Sequence, residues 1–324
     1  MQEISVGILG RGFIGSLHHE ELAKIDGFKV VAVADSNPKR FGGVAESVNR
    51  YMNYEALLER EKPDALVVAL PDRLHLPAIA AAASQGIELV LLEKPLAQNL
   101  HDAKKIASLA KEKNLRLMVG LTGHYHPEFR TAHDNLPEIG KITSLDEKIY
   151  LGVKGFPAET YLPKGGRGIV LENGVHTFDR FLFFSQADID LSSITLNYMN
   201  DENFRRNCDD NAAGNLKMTN EIPARFSFKW FDYDHEDYEF VAKGEKGQIT
   251  VHGFRDCRLN TPKGEITLYS HDTSLSLTER HRPGIQAELR AFKEFIESKK
   301  DSLLLDYALK SQEVVERVYE LNSQ

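Results

Sequence analysis

The sequence is short of cysteine, of unbroken apolar runs and of any large excess of one charge, and each shortage removes a class of function. Its two cysteines, Cys208 and Cys257, form no CxxC pair and neighbour no histidine cluster at metal-ligand spacing, so no metal is expected. They read as two ordinary thiols of a reducing compartment. No apolar run approaches the ~20 residues of a membrane span. The first residues lack a basic n-region, an apolar h-region and a small-residue cleavage site, so a cytoplasmic protein with no membrane partner is the expectation. Forty basic against 48 acidic side chains give a net charge of -8 with no basic stripe, which disfavours a nucleic-acid partner. Internal repeats and low-complexity tracts are missing too.

What is present is a change of grammar part-way along 324 residues, a length sufficient for two domains. Up to residue 121, apolar strands (4–10, 28–35, 65–70, 88–94, 115–121) alternate with helical stretches near 17–25, 39–50, 54–60, 76–86 and 100–114. Strands that are apolar throughout, separated by helices, predict a parallel sheet covered on both faces. From 122 a short helix precedes polar–apolar alternation at 141–152, 190–199, 214–220, 224–231, 237–244, 247–253 and 265–270, which predicts a mostly antiparallel open sheet. Helices at 285–298 and 307–321 close the chain. The expected division is 1–121 and 122–324, α/β first and α+β second.

Gly10-Arg11-Gly12-Phe13-Ile14-Gly15 follows a strand and opens a helix, the place a Rossmann dinucleotide-binding turn occupies in a doubly wound sheet. Gly10 permits the tight turn, Gly12 lets backbone approach a pyrophosphate, and Gly15 lets helix and strand pack. Helix-start amides then stabilise phosphate charge. Asp35 ends the next strand, 20 residues past Gly15, where a carboxylate accepts hydrogen bonds from the adenosine ribose. A carboxylate there repels a 2′-phosphate and favours NAD. Ser36, Lys39 and Arg40 follow it and leave NADP open as a phosphate clamp, or are simply a solvated loop.

Four stretches in order carry a family likeness: GRGFIGSLH with His18 trailing, LPDRLHLPAIAAAASQGIELVLLEKPLA, GGRGIVLENGVHTFD, and GIQAELRAFKEFI followed by ALKSQEVVERVY. Together they resemble the glucose–fructose oxidoreductase and inositol dehydrogenase family, Gfo/Idh/MocA, over nearly the whole chain. The resemblance implies a Rossmann domain and a substrate domain built on an open sheet through which dimers or tetramers form. It implies hydride transfer between NAD(P) and a hydroxyl–carbonyl pair of a sugar, cyclitol or sugar derivative. It also puts Leu70, Pro71, His75 and Glu93 near the cofactor, with Asp72 where the family often has Asn, and Lys94 beside the nicotinamide.

Hydride removal from an alcohol needs a base for the hydroxyl proton and a positive group for the developing alkoxide. Lys94 ends a strand on the ligand-binding edge of the parallel sheet. Glu172, His176 and Asp179 fall at i, i+4 and i+7 of one predicted helix, so they share a face opposite Val175, Phe178 and Leu182. His176 is the candidate base. Glu172, where the family commonly has Asp, would touch substrate or orient His176, and Asp179 would brace the helix or the histidine. Tyr125, His126, Tyr161, Lys164 and Arg167 are further candidates for substrate contact, the two cations suiting an acidic group. Other readings on the same fold are a non-catalytic NAD(P)-sensing regulator, a redox-assisted glycosidase that releases no net NADH, and a reductase of a non-sugar such as a tetrapyrrole. Retention of Lys94 and His176 argues against the sensor.

Overall fold

The computed structural model describes residues 3–152, 168–200, 208–231, 233–298 and 300–323. The chain divides into two compact units, Met1–Thr122 with Arg282–Leu309, and Gly123–His281 with Lys310–Gln324. The boundary near 121 is thus crossed again late in the chain.

In the first unit the described strands β1 (Ile4–Leu9), β2 (Phe28–Ala34), β3 (Asn49–Tyr51), β4 (Ala65–Val68), β5 (Leu89–Glu93) and β6 (Arg116–Gly120) join Ser302–Leu303 in one parallel sheet. Its order runs from Ser302–Leu303 through β6, β5, β4, β1 and β2 to β3. Between β1 and β4 the direction of winding reverses, and ligands bind at the carboxyl ends beside such a point. Every residue of β4 is fully buried, as are Val90, Leu91 and Leu92 of β5, so helices shield both faces. Asn53 and Asn99 cap the helices Tyr54–Glu61 and Leu100–Glu112. The helix expected near 39–50 is instead a single 3-10 turn, Pro38–Phe41, followed by β3. Gly42 and Gly43, the latter at φ 72, halt the turn.

The second unit holds, among the described residues, an eight-stranded sheet. Its strands are β7 (Ile142–Gly152), β8 (Ile189–Asn200), β9 (Asn211–Met218), β10 (Pro223–Phe231), β11 (Glu236–Gly244), β12 (Gly247–His252), β13 (Asp256–Thr261) and β14 (Gly264–Ser270). All neighbours pair antiparallel except β7 with β10. Ala224, Phe226, Phe228 and Trp230 alternate into the core, as do Tyr238, Phe240 and Ala242. Cys208 and Cys257 are both buried, and burial pushes the Cys257 thiol up to about 12. The late helix is longer than expected: it runs Leu277–Glu297 with Pro283 inside it, and Leu305–Asn322 comes after it. Among the described residues no helix is long and apolar enough to cross a membrane.

Candidate functional site

In the first unit the turn after β1 is shaped by its glycines. Gly10 sits at φ 88, and a Cβ there would lie 2.3 Å from the Ala69 carbonyl oxygen. At Gly15 it would lie 2.0 Å from the carbonyl oxygen of Gly10. Gly12 differs: the nearest atom to its Cβ position is Arg40 Nη1 at 3.9 Å. Protein therefore demands glycine at 10 and 15, while the space over Gly12 is left open. The helix Phe13–Leu22 begins there without a side-chain cap, and Phe13 is more than half exposed. Uncapped helix-start amides under open space fit the pyrophosphate of a dinucleotide.

Asp35 is buried and firmly held. Its Oδ2 accepts from the Arg11 amide at 2.8 Å and from Arg40 Nη1 at 3.1 Å, and its Oδ1 from the Asn37 amide at 2.8 Å. Arg11 in turn ties down the next loop by donating to the carbonyls of Arg40 and Gly42. Arg40 thus spends one guanidinium nitrogen on the carboxylate. His75 is wholly buried with Nε2 2.8 Å from the Leu70 carbonyl and Nδ1 3.3 Å from that of Leu96. It ties the loop after β4, with Pro71, to the loop after β5.

Beyond β5 the Lys94–Pro95 bond is cis, and the Lys94 amide donates to Glu93 Oε2 at 3.2 Å. Glu93 Oε1 lies 2.6 Å from Nε2 of the buried His18. Glu288 completes a trio whose nitrogen and oxygen atoms lie within 4.8 Å of one another. Both Glu288 oxygens are buried without a hydrogen-bond partner. The trio would admit a metal ion, but 2.6 Å is a hydrogen-bond separation that a proton already fills. Burial, with Glu93 beside it, pushes the Glu288 carboxyl well above the usual range. The folded protein then keeps a proton there that the unfolded chain gives up, so the stabilisation present below the ordinary glutamate pKa is lost as pH rises. Glu288→Gln should match the wild type in acid and melt higher by a margin that grows as pH rises past the ordinary glutamate range, read by thermal denaturation across a pH series. Sequence reasoning missed Glu288, although position 288 lies within the apolar stripe of Ile285, Leu289 and Phe292.

In the second unit the single helix expected through Glu172 and His176 is two pieces, Ile169–Glu172 and Gly174–Ser185. Trp230 Nε1 donates to Asn173 Oδ1 at 3.1 Å at the break. Asp209 holds the start of the first piece: its carboxylate accepts from the amides of Gly168 at 2.7 Å and Val170 at 2.8 Å and from Tyr319 Oη at 2.7 Å. Glu172 and His176 are half-buried, whereas Val175, Phe178 and Leu182 are buried as the apolar side. Asp179 is fully buried and accepts from His124 Nε2 at 2.8 Å, so the histidine it braces is His124. Tyr125 is half-buried. His126 is enclosed beside Phe254 and His281, with burial lowering its pKa, which corrects the expectation that it meets substrate. Tyr161, Lys164 and Arg167 lie outside the described residues.

A family model described as an oxidoreductase family with an NAD-binding Rossmann fold matches residues 4–121, and the C-terminal domain model of the same family matches 138–250. The chain belongs to the Gfo/Idh/MocA family. Within that family it is 31% identical over 215 residues to a dTDP-3,4-didehydro-2,6-dideoxy-alpha-D-glucose 3-reductase from Actinomadura kijaniata, covering 65% of this chain and 60% of that protein. Over 131 residues it is 34% identical to an inositol 2-dehydrogenase from Rubrobacter xylanophilus, covering 39% and 38%. The chain thus spans less than two thirds of the length of these curated relatives. An oxidoreductase from Agrobacterium radiobacter, solved with NAD+, L-tartaric acid and magnesium, superposes with a TM-score of 0.87 at 20% identity, covering 100% of this chain and 97% of that one. Scyllo-inositol dehydrogenase from Lactobacillus casei, solved with NAD(H) and scyllo-inositol, gives 0.81 at 18% identity, covering 99% and 97%. The Gfo/Idh/MocA domain at 4–121 is accordingly an NAD-binding Rossmann domain.

Proposed function

We propose that this chain is an NAD-linked dehydrogenase that oxidises a CH–OH group of a sugar, cyclitol or sugar derivative, with Lys94 and His176 managing the hydroxyl proton. The observation that carries the reading is the open, uncapped glycine turn at Gly12 with the anchored carboxylate of Asp35, in a chain that also holds a lysine at the carboxyl end of β5. NAD, when bound, supplies the hydride acceptor. The Lys94 ammonium stabilises the alkoxide that develops on the substrate oxygen. The His176 imidazole takes the hydroxyl proton at a ring nitrogen, and Glu172 orients substrate or imidazole. Phe13, Ile14, Leu70, Pro71 and His75 shape the cofactor's bed, and Tyr125 with Tyr161, Lys164 and Arg167 serves the substrate. Purified protein mixed with NAD and a panel of inositols, aldoses and sugar phosphates should give a steady rise of NADH absorbance with at least one of them. Tight NAD binding with no turnover of any would sink the reading.

Asp35 is assigned the choice of NAD over NADP. In Asp35→Ser the repulsion of a 2′-phosphate is gone and Arg40 is released toward it, so the NADP-to-NAD ratio of kcat/KM should rise roughly 10–100-fold. An unchanged ratio would move the choice of cofactor elsewhere. The second-unit sheet is assigned to self-association as a dimer or tetramer. One of its faces carries Asp146, Lys148, Asn197, Arg225 and Glu239 around a groove, and light scattering after gel filtration reads the state.

A further inference from the structure

We propose that Asp209 and Tyr319 are positioning residues that hold the Glu172–His176 segment in its working place; this rests on the reading of His176 as the base. A four-residue helix cannot fix its own direction, because one turn of hydrogen bonds scarcely repays the cost of forming it. The segment Ile169–Glu172 is that short and runs at once into the break at Asn173. Its start is held from outside. The Asp209 carboxylate takes the amides of Gly168 and Val170, and its main-chain oxygen takes that of Ile169 at 2.9 Å. Three successive amides at the helix start are thus bound by one residue.

Close approach enforces this register. A Cβ on Gly168 would lie 2.0 Å from the Asp209 carbonyl oxygen, so the two backbones meet where only glycine fits. Tyr319, on the last helix, donates to Asp209 Oδ1 at 2.7 Å, and its oxygen accepts from the Gly168 amide at 3.1 Å. Asp209 is buried, and burial lifts its carboxyl to about 6 against the amides and hydroxyl that favour the charge. A group kept at that cost and spent wholly on one helix start is placed to hold the residues just downstream, Glu172 at the end of the piece and His176 one turn beyond. The far side of the break is pinned separately by Trp230 on Asn173.

The test uses full-length Asp209→Asn and Tyr319→Phe. Asn offers one acceptor oxygen to the two amides and the hydroxyl and turns an NH2 toward donors, while Phe removes only the hydroxyl. With the polyol or sugar that the panel shows to be turned over, Asp209→Asn should lower kcat about 10–100-fold, as a misplaced base does, and Tyr319→Phe by less. NADH affinity, measured by fluorescence, should be unchanged in both. The deuterium isotope effect with substrate labelled at the reacting carbon should rise, which mere loss of folded protein cannot produce. Crystal structures of the two variants give a readout independent of turnover: the 168–176 backbone and the His176 ring should be displaced from their wild-type places. Wild-type kcat and isotope effect, or a ring at its wild-type place in Asp209→Asn, would overturn the proposal. His176→Ala separates the two ideas. If it stays active the assignment of the base fails, and if it is inactive while Asp209→Asn is not, only the positioning role fails.

Discussion

Lys94→Ala should lower kcat roughly 10²–10³-fold, the loss expected on removing one preorganised group facing a developing oxyanion. On the proposed assignment the effect belongs in kcat, because an ammonium beside the reacting oxygen meets full negative charge only once the proton has left the hydroxyl. NADH affinity should barely move: the pyrophosphate turn, Asp35 and the loop after β4 are built from other residues. His176→Ala should lower kcat by about 10²–10⁴, the range for a lost general base, and should flatten the acid limb of the pH–rate profile. If the two act on one proton, as proposed, the double variant should cost far less than the product of the two, since such groups do not contribute additively. Steady-state kinetics with NAD saturating read all three. Lys94→Ala at near wild-type kcat would leave the proton chemistry without its cation and sink the assignment.

Gly15→Ala and Gly12→Ala should fail in opposite ways. At position 15 the new methyl meets the Gly10 carbonyl oxygen at 2.0 Å, and both partners are backbone, which cannot swing aside. Either the helix Phe13–Leu22 lifts from the sheet or the turn opens, at a cost of about 3 kcal/mol or more. Little folded protein, or a sharp fall in melting temperature, is the expected result. At position 12 nothing outside the turn lies nearer than 3.9 Å, and φ -68 with ψ -160 sits at the rim of the extended region, which alanine enters at small cost. Gly12→Ala should therefore fold like the wild type and bind NADH at least about tenfold more weakly, because the methyl takes the space a pyrophosphate needs. Melting curves with and without NADH separate the two. A Gly12→Ala protein with full ligand-induced stabilisation would mean that phosphate does not rest on this turn.

The parallel sheet was legible because β1, β4, β5 and β6 are apolar on both faces and their helices end on glycine, asparagine or polar runs. Short strands were not: β3 has three residues and the pair Ser302–Leu303 two, and both exist only because a neighbour's edge is there to be completed. β13 hid between two better strands, although Cys257 and Leu259 alternate inward. The start of Leu277–Glu297 was announced by Ser276 and Glu279, a reciprocal cap in which the Ser276 amide donates to Glu279 Oε2 at 2.8 Å. Pro283-Gly284 masked that signal, since a proline reads as a boundary. Within the candidate site, the motif glycines and Asp35 could be named from spacing and His176 from its helix face, whereas Lys94 was singled out by the family resemblance. Asp209, Tyr319 and Glu288 could not, because their work is done on partners far away in sequence, and periodicity carries no trace of those partners.

The nucleotide-binding unit is completed by residues 282–309, made long after its other strands. Until they arrive, β6 has an open margin where Ser302–Leu303 will pair, and the buried Glu21 waits for Arg282 and Gln286. A nascent chain that has emerged only as far as Thr122 holds every phosphate-facing glycine yet has no finished cofactor domain. Ribosomal synthesis must therefore pass residue 309 before dinucleotide can rescue the fold, and a fragment ending at 122 should be a chaperone client rather than a miniature NAD-binding protein.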